Sequence, residues 1–232
     1  SSITRIADDV ILTNAGPEIS VASTKAYSSQ LACLISLCLD AATLLNPDFS
    51  ATAAEKLRCE LRSVPSLLGR TIISADSAKN IAKSTVNAKS VFYLGRGIDY
   101  CVAKEGSLKL KEISYVHSEA YAAGELKHGT LALIEKGVLV VAIITQEKTL
   151  EKNATCLAEV KSRGAKTLVI TPFNDEKLFS LADHTIKIPK INDLLTPLVS
   201  VIPTQLFAYY SALYKGCDID KPRNLAKSVT VE

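Results

Sequence analysis

From Ser90 onward, four short segments, Val91 to Leu94, Val138 to Ile144, Thr167 to Ile170 and Thr185 to Ile188, are nearly continuous in apolar character and rich in β-branched residues. A strand with one wet face alternates apolar and polar side chains, so unbroken runs of this length point to strands covered on both faces. Between them lie stretches with the apolar period of helices: Asp99 to Val116, Thr149 to Arg163, and a shorter one from Glu176 to Leu181. Strand and helix in alternation predict an α/β fold, a doubly wound parallel sheet flanked by helices. Such sheets bind ligands beyond the carboxyl ends of their strands, and there Gly95-Arg-Gly separates the first strand from its helix. That glycine pair fits a phosphate-binding turn, and equally a turn that is merely tight. The third glycine of the dinucleotide pattern is absent.

Upstream, Val10 to Thr13 is a short apolar run closed by Asn14-Ala-Gly-Pro and reads as the last strand of a unit that begins before residue 1. Tyr27, Leu31, Leu34, Leu37, Cys38 and Ala41 then recur at helical spacing over Lys25 to Leu45, with N-cap candidates in Ser20-Val-Ala-Ser-Thr. The start of this helix is either an ordinary cap or a site where free N–H groups hold an anion or hydroxyl. Ser50 is expected to cap a second helix running toward Arg62, with Pro65 and Gly69 interrupting the stretch beyond it, and Asp76 to Val86 predicts a third. The last helix is expected from Thr204 to its close at Gly216. The organisation this gives is a remnant and helical connector over 1–75, a complete α/β domain over 76–216, and a tail over 217–232. The chain opens Ser-Ser-Ile-Thr and has no methionine, which suggests a piece of a longer protein.

Composition narrows the function. With 47% hydrophobic and 22% charged residues, the 232-residue chain has enough apolar material for a folded core. A net charge of +3 with no basic run argues against nucleic acid and against a polybasic membrane patch, leaving a small molecule as the expected partner. The cysteines at 33, 38, 59, 101, 156 and 217 contain no Cys-x-x-Cys pair, which disfavours a metal site or a disulfide scaffold and suits reduced thiols in the cytoplasm. The longest apolar run, Gly137 to Thr145, is too short to cross a bilayer.

Ionisable groups concentrate between Lys104 and Ile134. Lys109 and Glu112 are three residues apart on a predicted helix, so ammonium and carboxylate share a face. The stretch from Glu119 to His128 is expected to break that helix at Gly124 and bring up an imidazole. Carboxylate, amine and imidazole together can move protons on a small polar substrate. A lysine and glutamate at this spacing also make an ordinary solvated helix face.

Five motifs, in order along the chain, resolve that choice by resemblance. Thr13-Asn-Ala-Gly-Pro-Glu-Ile-Ser-Val-Ala-Ser-Thr-Lys-Ala-Tyr, Leu94-Gly-Arg-Gly, Leu108-Lys-Leu-Lys-Glu-Ile-Ser-Tyr, Glu119-Ala-Tyr-Ala-Ala-Gly-Glu-Leu-Lys-His-Gly and the terminal Pro222-Arg-Asn-Leu-Ala-Lys-Ser-Val-Thr-Val-Glu resemble the sugar-isomerising part of the glucosamine-6-phosphate synthases. That part is built from two SIS (sugar isomerase) domains, of which this chain would hold the end of the first and all of the second. The family commonly has proline where this chain has Thr130. Its loops for the sugar phosphate, and its glutaminase domain, would lie upstream of residue 1.

The resemblance implies conversion of fructose 6-phosphate and glutamine-derived ammonia to glucosamine 6-phosphate, without a cofactor or metal, in a homodimer whose active site is shared. It implies that Lys227 forms a Schiff base with the sugar, that Glu112 carries a proton between C1 and C2, that His128 opens the sugar ring from the neighbouring subunit, and that Lys109 stands beside the reacting carbons. Val21, Ala22, Ser23 and Ala226 would contact the sugar. Two rivals from other classes are a SIS module that senses sugar phosphates without turnover and a SIS deglycase of fructosamine phosphates. The terminal motif, with its lysine, disfavours both.

Overall fold

The computed structural model describes residues 2–46 and 48–227. Three helices come first: α1 (Lys25–Leu45), α2 (Ala51–Ser74) and α3 (Ser77–Ser84). The sheet follows as β1 (Ser90–Gly95), β2 (His117–Ala122), β3 (Leu139–Ile143), β4 (Lys166–Thr171) and β5 (His184–Lys187). Between and after these strands lie α4 (Ile98–Ser114), α5 (Leu150–Lys161), α6 (Glu176–Leu181) and α7 (Thr196–Tyr214). All neighbouring strands are parallel, in the order β2-β1-β3-β4-β5, so the doubly wound expectation holds.

Residue alternation along the strands divides the core in two. Val91, Tyr93, Val141, Ile143, Leu168 and Ile170 face one side, against Ile81 of α3, Leu110 of α4 and Phe207 of α7. Phe92, Leu94, Val140, Ala142 and Val169 face the other, against Leu157 and Val160 of α5 and Leu178 of α6. At Gly106 helix α4 comes so close to α7 and the sheet that an added Cβ would lie 2.8 Å from Thr204 Cβ and 2.9 Å from Tyr93 Cε1. This close approach fixes α4, the helix that carries Lys109 and Glu112.

The structure departs from the sequence reading at five places. Residues 10–13 form no strand and are largely exposed, because among the described residues no strand lies beside them to complete a hydrogen-bonded ladder. Helix α4 ends at Ser114, not Val116, with Tyr115 left-handed, and residues 117–122 are the edge strand β2 rather than the end of a helix broken at Gly124. Helix α2 runs through both Pro65 and Gly69. Pro65 is exposed there, so water can serve the carbonyl that the ring leaves unbonded. Helix α7 begins at Thr196, with Pro197 in the first turn, where a missing N–H costs nothing, and Pro203 in its interior. Twelve of its 19 residues are buried, and that packing outweighs the local penalty of about 3 kcal/mol for an interior proline. Finally, α1 is long and apolar enough to cross a bilayer by length and composition, a property that a search for consecutive apolar residues misses because serines, Gln30 and Asp40 interrupt it.

Candidate active site

The start of α1 is held by a side chain from upstream. Thr24 makes no side-chain cap; its backbone N–H donates instead to Glu18 Oε1 at 2.8 Å. Glu18 Oε2 accepts from Lys227 Nζ at 3.0 Å. Lys227 Nζ also donates to the Ser20 carbonyl at 2.9 Å, to Ser23 Oγ at 3.2 Å and to the Val21 carbonyl at 3.4 Å. Burial pushes the Glu18 carboxyl up, but the hydrogen bonds from the Thr24 N–H, Lys227, Ser23 and the Ala26 N–H outweigh it and hold its pKa at about 2. Glu18 is therefore a fixed negative charge at neutral pH.

The tail reaches this place through a series of anchors. Asp218 Oδ1 accepts the N–H groups of Asp220 and Lys221 at 3.0 and 2.8 Å, which closes a turn. The Val21 N–H donates to the Asp220 carbonyl at 2.9 Å, and the Arg223 N–H donates to the Tyr115 hydroxyl at 2.8 Å. Residues far apart in sequence thus meet at one helix end.

Helix α4 supplies the opposite wall. Lys109, 5% exposed, lies with Nζ 2.6 Å from Glu112 Oε2 and 3.6 Å from Glu105 Oε1, one turn to either side. The pair with Glu112 is close but poorly aligned, and the buried Oε2 has no hydrogen-bond donor. Burial pushes the Glu105 carboxyl above its ordinary range; Lys109 opposes this and the charge of Glu112 adds to it. Burial, with Glu105 next, also pushes the Tyr27 hydroxyl up to about 12, so that it keeps its proton. Between these groups is a cleft of about 330 Å³ lined by Val21, Ser23, Tyr27, Gln30, Lys109 and Glu112 among others. An amine at its edge, a buried ammonium between two carboxylates and a serine hydroxyl can form an imine and shift protons beside it.

The other expected site residues are placed less directly. Ala22 is buried and turns away, lining a smaller cavity of about 200 Å³ with Lys109, Ile113 and Gln205. Ala226 is exposed and lines neither space. His128 is exposed at the end of a 3-10 turn after β2 and also lines neither. The turn at Gly95 is tight because a Cβ there would lie 2.4 Å from the Asp99 carbonyl carbon. Beside it the Asp99 carboxylate is buried and accepts from the Thr145 N–H at 2.8 Å and from Thr145 Oγ1 at 2.5 Å. The Asp99 carboxylate thus ties the first turn of α4 to the residue that follows β3, and the clash at Gly95 by itself accounts for that glycine. Among the described residues no group of acidic, histidine or cysteine side chains could hold a metal.

Sequence reasoning missed Glu18, Glu105, Tyr27 and Gln30. Glu105 was detectable, four residues before Lys109 on the same helix face. Glu18 was not, because its partner is brought to it only by the folded tail.

The sequence model of the SIS domain matches residues 85–215. The chain belongs to the SIS domain family. This SIS chain is 50% identical over its whole length to the glutamine–fructose-6-phosphate aminotransferase (isomerizing) of Caldanaerobacter subterraneus subsp. tengcongensis, and 47% identical to that of Thermococcus kodakarensis. It spans 38% of the length of each. Among solved structures, the C-terminal domain of the glucosamine-fructose-6-phosphate aminotransferase of Francisella tularensis superposes with a TM-score of 0.89 at 36% identity, over 95% of the SIS chain and 62% of that domain. Thermotoga maritima glucosamine-6-phosphate deaminase, at 24% identity and a TM-score of 0.67, shares the fold. The motif resemblance extends over the full length of the SIS chain.

Proposed function

We propose that this chain is the C-terminal, sugar-isomerising part of a cytoplasmic glutamine–fructose-6-phosphate aminotransferase. In the whole protein a glutaminase domain supplies ammonia, and a homodimer shares its active sites. The observation that carries the reading is that Lys227 Nζ, from the tail, meets Ser23 Oγ at 3.2 Å on the rim of the cleft that Glu112 and Lys109 line. The likeness to aminotransferases over the whole chain supports the same substrate class.

The steps assign each group a task. Lys227 sheds its proton and attacks C2 of open-chain fructose 6-phosphate; loss of water leaves an iminium. Ammonia displaces the lysine and leaves the C2 imine. Glu112 removes a proton from C1 and returns one to C2, while the proton of the C1 hydroxyl passes to the imine nitrogen, leaving an aldehyde at C1 and an amine at C2, 2-amino-2-deoxyglucose 6-phosphate. Lys109, held beside Glu112, balances the charge that develops on the sugar oxygens. Val21 and Ser23 form the wall against which the sugar lies, and His128 opens its ring from the partner subunit. A sensor would need no amine at the cleft rim, and a deglycase no such tail.

The test is synthase turnover of the full-length protein with fructose 6-phosphate and glutamine, followed as glucosamine 6-phosphate. Glu112→Gln should lower kcat by about 10²–10⁴-fold, the usual worth of a general base. No amino sugar from the wild type, or undiminished turnover in Glu112→Gln, would overturn the reading.

A further inference from the structure

Helix α4 ends in a residue whose backbone is strained. Tyr115 stands at φ 58 and ψ 17, the left-handed conformation that usually closes a helix with glycine or asparagine. A bulky side chain persists in such a place when its surroundings hold it there, and here the surroundings are the tail. The Arg223 guanidinium carbon lies 4.2 Å from the centre of the Tyr115 ring, and the Arg223 N–H donates to the Tyr115 hydroxyl at 2.8 Å. One side chain therefore grips both the backbone and the head group of the same residue. The next residue, Asn224, is again left-handed with φ 61, so the chain turns directly after the grip. Three residues later Lys227 reaches Glu18 and Ser23. Tyr115 also follows Glu112 by three residues on α4, and Leu108, Glu112 and Tyr115 share one depression with residues 223–225 of the tail.

We propose that Tyr115 is a positioning residue: a clamp that fixes the tail to the helix bearing Glu112, so that Lys227 is delivered to the cleft in register with that carboxylate. The inference rests on the reading of Lys227 as the imine-forming lysine. It gives the left-handed tyrosine a purpose that a helix end by itself does not require. Glycine would close α4 with less strain, and would release the tail.

That difference supplies the test, made in the full-length protein. Tyr115→Gly should melt within a few degrees of the wild type, because lost ring contacts are offset by relief of the backbone. Its tail amides over residues 221–227 should exchange with solvent about tenfold faster, the loss of one cation–π contact and one hydrogen bond. Its borohydride-trapped sugar adduct at Lys227 should form slower by a similar factor. Tyr115→Phe keeps the stacking and loses only the hydroxyl acceptor, and should fall between the two. Unchanged tail exchange in Tyr115→Gly, or adduct formation at the wild-type rate, overturns the clamp. A wild type that forms no adduct at Lys227 instead refutes the reading of the lysine, and tail exchange still decides whether Tyr115 holds the tail.

Discussion

Glu18 and Lys227, 209 positions apart in sequence, meet in an ion pair of 3.0 Å at the N-terminus of α1. The carboxylate serves two purposes at once, since its other oxygen satisfies the Thr24 N–H. Lys227 is 43% exposed, so the pair itself adds no more than about 1 kcal/mol to tail docking. The cap is the larger contribution. Glu18→Gln keeps an acceptor for Thr24 but loses the charge, so it should lower the melting temperature less than Glu18→Ala, which should cost about 0.5–2 kcal/mol. Equal melting temperatures for the two variants would contradict the capping role. The carboxyl is depressed from 4.5 to about 2, so its contribution is complete above pH 4.5 and disappears as pH falls through about 2. Tail protection in hydrogen exchange should follow that window in the wild type and not in Glu18→Gln.

Asp99 titrates in the opposite sense. Burial pushes its pKa from 3.8 to about 6 despite the bonds from Thr145. The native state then retains a proton that the unfolded chain has released, so this group's contribution is full below pH 3.8 and is lost as pH rises through about 6. Asp99→Asn, which can still accept from the Thr145 N–H, should flatten the dependence of stability over that range. Urea denaturation between pH 4 and pH 7 checks it; parallel curves for the two proteins would contradict the assignment.

Gly106 tests the placement of α4. Alanine there would put a methyl against Thr204 Cβ at 2.8 Å and the Tyr93 ring at 2.9 Å. Both neighbours are buried, so neither has room to withdraw. Gly106→Ala should lose about 1–3 kcal/mol of stability by overpacking. A neutral effect on thermal unfolding would mean that the helix moves more freely than its packing implies.

His128 lines neither the cleft nor the smaller cavity beside it, and the proposed shared site has it serve a partner subunit. Full-length Glu112→Gln and His128→Ala proteins, each inactive, should regain about a quarter of wild-type turnover when mixed as dissociated subunits, from heterodimers with one intact site. Mixtures no more active than either parent would refute a shared site.

The sheet was legible because β1, β3 and β4 are buried on both faces and their apolar runs say so, while the edge strand β5, with only Ile186 buried, still carries a β-branched run. Strand β2 escaped notice: His117-Ser-Glu-Ala-Tyr-Ala has no β-branched residue, pairs with β1 alone among the strands, and is only partly buried. The true start of α7 was hidden by Pro197 and Pro203, local signals that burial overrides. At the site, Lys109 and Glu112 were legible because three residues on a helix is a fixed distance. The meeting of Glu18 and Lys227 depends on anchors at Asp218, Asp220 and Arg223, and no spacing in the sequence expresses those.

The central claim is covalent chemistry at Lys227, and borohydride reduction of the full-length protein with fructose 6-phosphate tests it most directly. One sugar phosphate per chain should appear on the peptide that contains Lys227, and Lys227→Arg should abolish it without changing the melting temperature. An adduct on Lys109, or synthase turnover in Lys227→Arg equal to the wild type, would contradict the claim.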